Sequence, residues 1–159
     1  MKTLLTSLCL TIAVLLGSVG VSWSEGTAEL RPLQDILREE SSNTMKIYAI
    51  KRCSSLFFGV ADGLRTRGEE TKEIADKYNE LGTELVMDSF LLSENFGFKP
   101  SMEKIRDTVF GILALYKKLW RHNSLATGHS HGPLTESDLE TCTVIYNAIQ
   151  SNVQKGQEK

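Results

Sequence analysis

The chain has 159 residues, with 18 basic and 20 acidic side chains, a net charge of −2 and a hydrophobic fraction of 41%. These values are typical of a single globular domain. The charge is mild and no basic stripe runs through the sequence, so we expect no nucleic-acid partner. No polybasic segment predicts binding to anionic lipid either.

The N-terminus has the layout of a secretory signal peptide. An early lysine precedes residues 4–21, which are uncharged and mostly apolar, and Ser22 and Ser24 place small side chains before a cleavage site at Glu25. We predict that residues 1–24 are removed on export and that the mature protein is secreted or periplasmic.

An uncleaved membrane anchor is the alternative, because the apolar run approaches the roughly 18 residues that a spanning helix needs. Gly17 and Gly20 interrupt the run and a cleavage site follows it, so we expect no stable membrane insertion after cleavage. Lys2 is the one charged residue of the signal segment, so the mature chain carries 17 basic and 20 acidic side chains and a net charge of −3.

Cys53 and Cys142 are the two cysteines downstream of the signal segment, which itself holds Cys9. In an oxidising compartment two cysteines allow one intramolecular disulfide. The bond would close a loop of about 90 residues, for which loop-closure entropy gives up to about 4 kcal/mol of stabilisation. The alternative is a pair of buried free thiols. A metal site is not favoured, because neither cysteine has another Cys or a His near it in sequence.

Four long amphipathic helices and one short helix are predicted in the mature chain. In each long helix, apolar residues recur every three or four positions and therefore share one face. No segment is typical of a pair of strands. In chain order we predict an N-terminal segment at 25–43 with a short helix at 33–40, helices at about 44–67, 69–94, 101–122 and 135–154 within a domain spanning 44–154, and a polar tail at 155–159.

The predicted helix ends carry matching signals. Residues 41–43 offer N-cap side chains to the first long helix, and Ser101 does so for the third. Gly68 stands where a glycine commonly ends a helix. Thr135 is the predicted N-cap of the last helix, with Asp138 at the capping-box position.

These elements predict an all-α fold in which the four long helices form an up-down-up-down bundle. Cys53 lies on the apolar face of the first long helix and Cys142 on that of the last, and these helices are neighbours in that topology. Counted from the predicted helix ends, the two cysteines are offset by roughly 12 Å. The link at 123–133 is long enough to absorb the offset; otherwise the helices are staggered or the topology is different.

Three histidines, His122, His129 and His131, fall in or beside that glycine-containing link. Imidazole groups bind zinc, copper or nickel, and Glu136 or Asp138 could add an oxygen ligand. The alternative is a solvated hinge, since the His-x-His pattern has low specificity. We predict no cofactor and keep a metal site at the three histidines as a hypothesis.

Four glycines, Gly59, Gly63, Gly82 and Gly111, fall inside predicted helices, where each costs about 1 kcal/mol relative to alanine. Close approach of neighbouring helices, or a local bend, would explain them. The alternative is a cavity or groove in which a ligand or a partner helix approaches the backbone.

Three aromatic residues, Phe58, Phe96 and Phe98, are candidate interface residues. Phe96 and Phe98 flank a glycine in the turn before Pro100, where they either cover the end of the bundle or form an exposed apolar patch for a partner. Phe57 and Phe58 are adjacent and cannot both face one core, so Phe58 is expected to be partly exposed or covered by the N-terminal segment.

No catalytic constellation stands out in the sequence. Asp62, Asp88 and Asp107 lie near apolar faces without a base at a characteristic spacing, and each acidic residue is expected on a solvated or salt-bridged face. We therefore expect a non-enzymatic protein that acts by binding another extracytoplasmic protein. The alternative is a small-ligand carrier or metal-binding protein that uses the bundle interior or the histidine link.

Overall fold

A computed structural model describes the backbone of residues 30–157 and the side chains of residues 30–152. Within this range 84% of the residues are helical and there is no strand, so the all-α prediction is confirmed. The predicted signal peptide and residues 25–29 of the N-terminal segment lie outside the described residues.

Five α-helices and one short 3₁₀ helix make up the described part of the chain. They are α1 (Leu33–Glu39), α2 (Asn43–Arg65), the 3₁₀ helix Glu69–Thr71, α3 (Lys72–Asn95), α4 (Met102–Thr127) and α5 (Pro133–Gln157).

The serine caps form as predicted. Ser42 Oγ accepts a hydrogen bond from the backbone N–H of Met45 at the start of α2, and Ser101 Oγ accepts one from Lys104 at the start of α4. Each bond satisfies an N–H group that has no partner within its own helix. Gly128 ends α4 with a φ of 77°, a left-handed conformation that glycine adopts without steric cost.

The predicted end of the third long helix was wrong. α4 continues past His122 to Thr127, and the link to α5 contains only residues 128–132. Nothing in the stretch from Asn123 to Thr127 breaks a helix, and Thr127 Oγ1 donates a hydrogen bond to the Asn123 carbonyl one turn earlier.

The predicted start of the last helix was also wrong. α5 begins at Pro133, which suits a first helical position because its missing N–H would have no acceptor there. Thr135 is fully buried, and its Oγ1 accepts a hydrogen bond from Trp120 Nε1 at 2.9 Å. Its hydroxyl therefore joins α5 to α4.

α2 is the central helix and packs against each of the other four. Small polar residues let its neighbours come close. Ser54 Oγ donates to the Gly82 carbonyl of α3 at 2.7 Å, and Ser55 Oγ donates to the Val109 carbonyl of α4 at 2.8 Å. Such bonds satisfy the buried hydroxyls and fix the spacing of three helices.

Two of the helix-interior glycines are explained by close packing. A Cβ atom at Gly59 would lie 2.3 Å from the ring of Trp120, and one at Gly82 would lie 2.9 Å from the ring of Phe58. Side chains of neighbouring helices therefore occupy the space that an alanine would need. At Gly63 and Gly111 a Cβ atom would meet no other atom within 4 Å.

The predicted disulfide is confirmed. Cys53 of α2 and Cys142 of α5 are joined across 89 residues, with their Cα atoms 5.2 Å apart and both side chains fully buried. The bond lies inside the main core, whose buried members are Leu33, Ala49, Ile50, Cys53, Leu56, Phe57, Leu85, Ile112, Tyr116, Trp120 and Cys142.

None of the helices between residues 30 and 157 combines the length and the apolar character that a bilayer-spanning segment requires.

Candidate functional site

Arg52 of α2 and Asp138 of α5 form an ion pair at the centre of the fold. Arg52 Nη2 donates to Asp138 Oδ2 at 2.5 Å, Arg52 Nε lies 3.1 Å from the same oxygen, and both side chains are 0% exposed. Removing two charges from water is costly unless further hydrogen bonds compensate, so the surroundings of the pair decide its role.

Hydrogen bonds to α4, to α1 and to the residue pair before α1 surround the ion pair. The Tyr116 hydroxyl of α4 donates to Asp138 Oδ2, and the Leu33 backbone N–H at the start of α1 donates to Asp138 Oδ1 at 2.7 Å. Arg52 Nη2 also donates to the Arg31 carbonyl at 2.6 Å. One carboxylate thus caps α1 and ties it to α2, α4 and α5.

The surroundings raise the pKa of both Tyr116 and Arg52. Burial raises the pKa of Tyr116 well above its usual range, so the phenol stays protonated and can donate to Asp138. Burial by itself would lower the pKa of Arg52, but contact with Tyr116 and Asp138 outweighs it and the pKa is raised. The cluster therefore has the properties of a structural connection between helices.

Asp138 is salt-bridged, as one alternative for the acidic residues predicted, but its ion pair lies inside the core and not on the surface. One signal in the sequence points to its burial: Asp138 precedes Cys142 by four residues and so shares its face of α5. Arg52 stands next to Cys53, the other half of the disulfide. These positions place both charged residues close to the disulfide. They do not reveal that the two side chains form an ion pair.

A groove at one end of the molecule combines apolar side chains with three lysines. Its volume is about 380 Å³, and it runs between the N-terminal parts of α2 and α4, closed by the link between α3 and α4. We call it the lysine groove and define it by the apolar Ile47, Tyr48, Phe98 and Ile105 and the cations Lys51, Lys99 and Lys104.

The lysines of this groove are not neutralised within the described part of the molecule. None of the ion pairs found among the described side chains includes Lys51, Lys99 or Lys104. Burial lowers the pKa of Lys51, with no carboxylate to counteract it. Lys51 is far in sequence from Lys99 and Lys104, so no basic segment predicts this cluster and only folding brings the three lysines together.

The candidate interface residues Phe96 and Phe98 have different environments. Phe96 forms the C-cap of α3 and is half-buried, whereas Phe98 exposes 45% of its side chain at the edge of the lysine groove. Gly97 between them has a φ of 78°, which lets the chain turn sharply after α3. Phe98 is thus the member of this pair that a partner could reach.

The third candidate, Phe58, lies on another face. It is half-buried between the backbone of Gly82 and the ring of Phe110, with the two rings stacked at a centroid distance of 6.5 Å. Phe110 is 53% exposed. Phe58 therefore contributes to packing, and its neighbour Phe110 provides the exposed part of this aromatic pair.

The described residues contain no group of three or more His, Cys, Asp or Glu side chains that could hold a metal ion. His122 lies exposed on α4 and His129 exposed in the link, whereas the ring of His131 packs 5.3 Å from that of Trp120. Burial lowers the pKa of His131. The structure thus does not bring the three histidines together as a metal site.

The three aspartates singled out in the sequence have separate environments. Asp62 pairs with Lys117 at 2.7 Å on the surface, and Asp107 is exposed. Asp88 is half-buried, and burial together with the nearby charge of Glu84 raises its pKa. None of the three lies in an arrangement that identifies a reaction.

No protein-family model, no curated protein and no solved structure was found to match this chain.

Proposed function

We propose that this protein is an exported, non-enzymatic binding protein that captures another extracytoplasmic protein through the lysine groove. The observation that carries the proposal is the exposure of Phe98 beside the apolar side chains of Ile47 and Ile105. A half-exposed aromatic ring at the rim of an apolar groove is the type of anchor on which protein interfaces depend.

The buried polar cluster supports a role without catalysis. Arg52, Tyr116 and Asp138 are the fully buried ionisable groups of the described core, and their side-chain polar atoms, Arg52 Nη1 excepted, form hydrogen bonds to one another or to the backbone. Together with the disulfide they make a rigid scaffold. Such a scaffold presents a preformed groove at a low entropic cost of binding.

Export is the second part of the proposal. It rests on the predicted signal peptide and is supported by the disulfide, since such bonds persist mainly in oxidising compartments. Mass spectrometry of the protein from its native host is expected to show a mature chain that starts at Glu25 with both cysteines oxidised. Recovery of residues 1–24 on the native protein would contradict cleavage.

We also propose the up-down-up-down order of the four long helices. Trp120–Thr135 contact near the link between α4 and α5, and Tyr116–Asp138 contact farther from it, as expected for antiparallel neighbours. For α2 and α3, Arg65 pairs with Asp76 near their link, and Ser54 bonds to α3 at a greater distance from it. An experimental structure in which either pair ran parallel would refute this order.

Partner capture from the extracellular or periplasmic fraction of the native host tests the function. The mature protein is immobilised, and retained proteins are compared between the wild type, Phe98→Ala and a control, Leu125→Ala. Leu125 is 84% exposed and lies outside the groove. We expect a protein that the wild type and the control retain and that Phe98→Ala loses.

Two results of this experiment would count against the proposal. Retention that is the same for Phe98→Ala and the wild type would exclude the groove as the binding surface. Loss of the partner with Phe110→Ala alone would move the interface to the face of Phe58 and Phe110. In either case unchanged melting temperatures would show that the variants are folded.

A small-ligand carrier is the second candidate, and one cavity favours it. A space of about 580 Å³ lies between α1, α2 and α4, with Met45, Tyr48, Arg52 and Leu115 among its lining residues. Arg52 Nη1 is buried without a hydrogen-bond acceptor. Native mass spectrometry of protein purified from the host would reveal a bound molecule, whereas an unmodified mass would exclude a tightly held one.

A further inference from the structure

We propose that the partner segment held by the lysine groove is acidic, with an apolar side chain that packs between Phe98 and the groove floor. This inference rests on the proposed function and adds the chemistry of the partner. It follows from the placement of three cations from two helices and a link around one apolar depression.

Lys51 is the most informative of the three cations. It lies on α2 at the inner side of the groove, is half-buried, and has no ionic partner among the described side chains. Its pKa is lowered by burial alone. A desolvated ammonium group without a counter-charge destabilises the folded protein, whereas a carboxylate bound in the groove would compensate it.

Lys99 and Lys104 are exposed at the rim of the same groove. They lie on either side of Ser101, the N-cap of α4, where the unpaired N–H groups of the helix add a partial positive charge. The rest of the molecule is acidic, because the full chain carries a net charge of −2. The groove is therefore a local positive site that would attract an acidic segment in preference to a basic one.

The apolar part of the groove limits the class of partner. Ile47, Tyr48 and Ile105 line it beside the exposed ring of Phe98, and its volume of about 380 Å³ suits one or two side chains. Ile47 and Ile105 are buried in its floor, so Phe98 and the half-buried Tyr48 provide the exposed apolar surface, which a free inorganic anion would leave uncovered. A short peptide segment with alternating acidic and apolar residues would cover both the cations and the rings.

Binding of synthetic peptides to the mature protein tests the inference. The probes are a short acidic peptide with one tryptophan, a counterpart with Asn and Gln in place of Asp and Glu, and a basic counterpart. We expect saturable binding of the acidic peptide, weakened by salt, and binding at least about tenfold weaker for the other two.

Charge reversal with a matched control locates the site. Lys99→Glu/Lys104→Glu is expected to weaken binding of the acidic peptide at least about tenfold. Lys77→Glu/Lys118→Glu makes the same change in net charge on side chains outside the groove and is expected to change binding less than about twofold. Equal losses in the two double variants would overturn the inference, because the effect would then come from net charge.

Substitution of the inner lysine separates binding from folding. Lys51→Met keeps the aliphatic stem and removes the desolvated charge, so we expect an unchanged or higher melting temperature together with weaker peptide binding. A lower melting temperature with unchanged binding would show that Lys51 is structural and would count against its proposed role.

The remaining outcomes distinguish this inference from the proposed function. Phe98-dependent capture of a native partner, with no competition by the acidic peptide and no effect of Lys99→Glu/Lys104→Glu, would overturn the acidic specificity and leave protein binding in place. Sedimentation with phosphatidylglycerol vesicles without peptide binding would replace the protein partner by a lipid surface. Absence of saturable binding to all peptides would overturn the inference.

Discussion

Arg52 and Asp138 form an ion pair inside the core, close to the Cys53–Cys142 disulfide. Arg52 directly precedes Cys53, and Asp138 lies four residues before Cys142. A covalent bond and an ion pair therefore join α2 to α5 at the same level of the fold. The carboxylate also caps α1 through the Leu33 N–H, so one side chain of α5 contacts the first described helix as well.

Loss of the buried carboxylate should be strongly destabilising. Asp138→Asn leaves the Arg52 charge buried without a counter-charge, and we expect the free energy of unfolding to fall by about 3–5 kcal/mol. Urea denaturation followed by circular dichroism measures it. As a control, Asp62→Asn removes the exposed partner of Lys117 and should cost no more than about 1 kcal/mol.

A milder variant keeps this prediction testable if Asp138→Asn does not fold. Tyr116→Phe removes only the hydroxyl that donates to Asp138 and accepts from Arg52, and it should cost about 1–3 kcal/mol. Stability equal to the wild type in both variants would mean that the cluster does not hold the helices together.

The disulfide should contribute substantially to stability. Replacement of both cysteines in Cys53→Ala/Cys142→Ala should lower the free energy of unfolding by about 2–4 kcal/mol, because the unfolded chain regains the freedom that a closed loop removes. Alkylation followed by mass spectrometry should label neither cysteine of the unreduced mature protein and both after reduction. A double variant as stable as the wild type would refute the prediction.

Alanine substitutions of the helix glycines should have opposite effects. Gly59→Ala places a Cβ against the Trp120 ring and should cost about 1–3 kcal/mol. Gly111→Ala meets no atom within 4 Å and should stabilise the protein by up to about 1 kcal/mol through helix propensity. Thermal denaturation of the two variants side by side is the measurement, and shifts of the same sign would contradict the packing described here.

Asp88 should make stability depend on pH in the acidic range. Its pKa is raised above 3.8 by burial and by the charge of Glu84, so the folded state binds this proton more tightly than the unfolded state does. Stability from this group is therefore present at low pH and is lost as pH rises from 3.8 through the raised folded pKa.

Removal of this charge tests the sign of the effect. The free energy of unfolding of the wild type relative to Asp88→Asn, from urea denaturation at a series of pH values, should fall as pH rises through that window. Asp107→Asn removes an exposed carboxylate from α4 and serves as the control. A difference between wild type and Asp88→Asn that rises with pH would show that the carboxylate is stabilised in its charged form.

Much of the helical framework was predictable because its causes are local. The spacing of apolar residues predicted each long helix, and Ser42 and Ser101 cap α2 and α4 as expected for residues whose oxygens accept from the following turn. The pairing of Cys53 with Cys142 was predictable because only two cysteines follow the predicted signal peptide. The errors at the end of α4 and the start of α5 arose although local signals mark both boundaries, since Gly128 is a typical C-terminal glycine and Pro133 a typical first helical residue.

The candidate site depended on contacts between residues far apart in sequence. Phe98 was identified by its place in a turn, but Lys51, Lys99 and Lys104 show no pattern until α2 and α4 lie side by side. Gly59 and Gly111 both fall inside predicted helices, and the sequence does not distinguish them. The structure does, because the Trp120 ring packs against Gly59 and no atom lies close to Gly111.

The sequence by itself determined that this chain is helical and where a disulfide could close it, since helix periodicity and the number of cysteines do not depend on distant neighbours. Tertiary structure alone decided that Arg52 and Asp138 are buried together and that three dispersed lysines share a groove. Burial and charge pairing are properties of the space between helices, and that space exists only after α2 has packed against its neighbours.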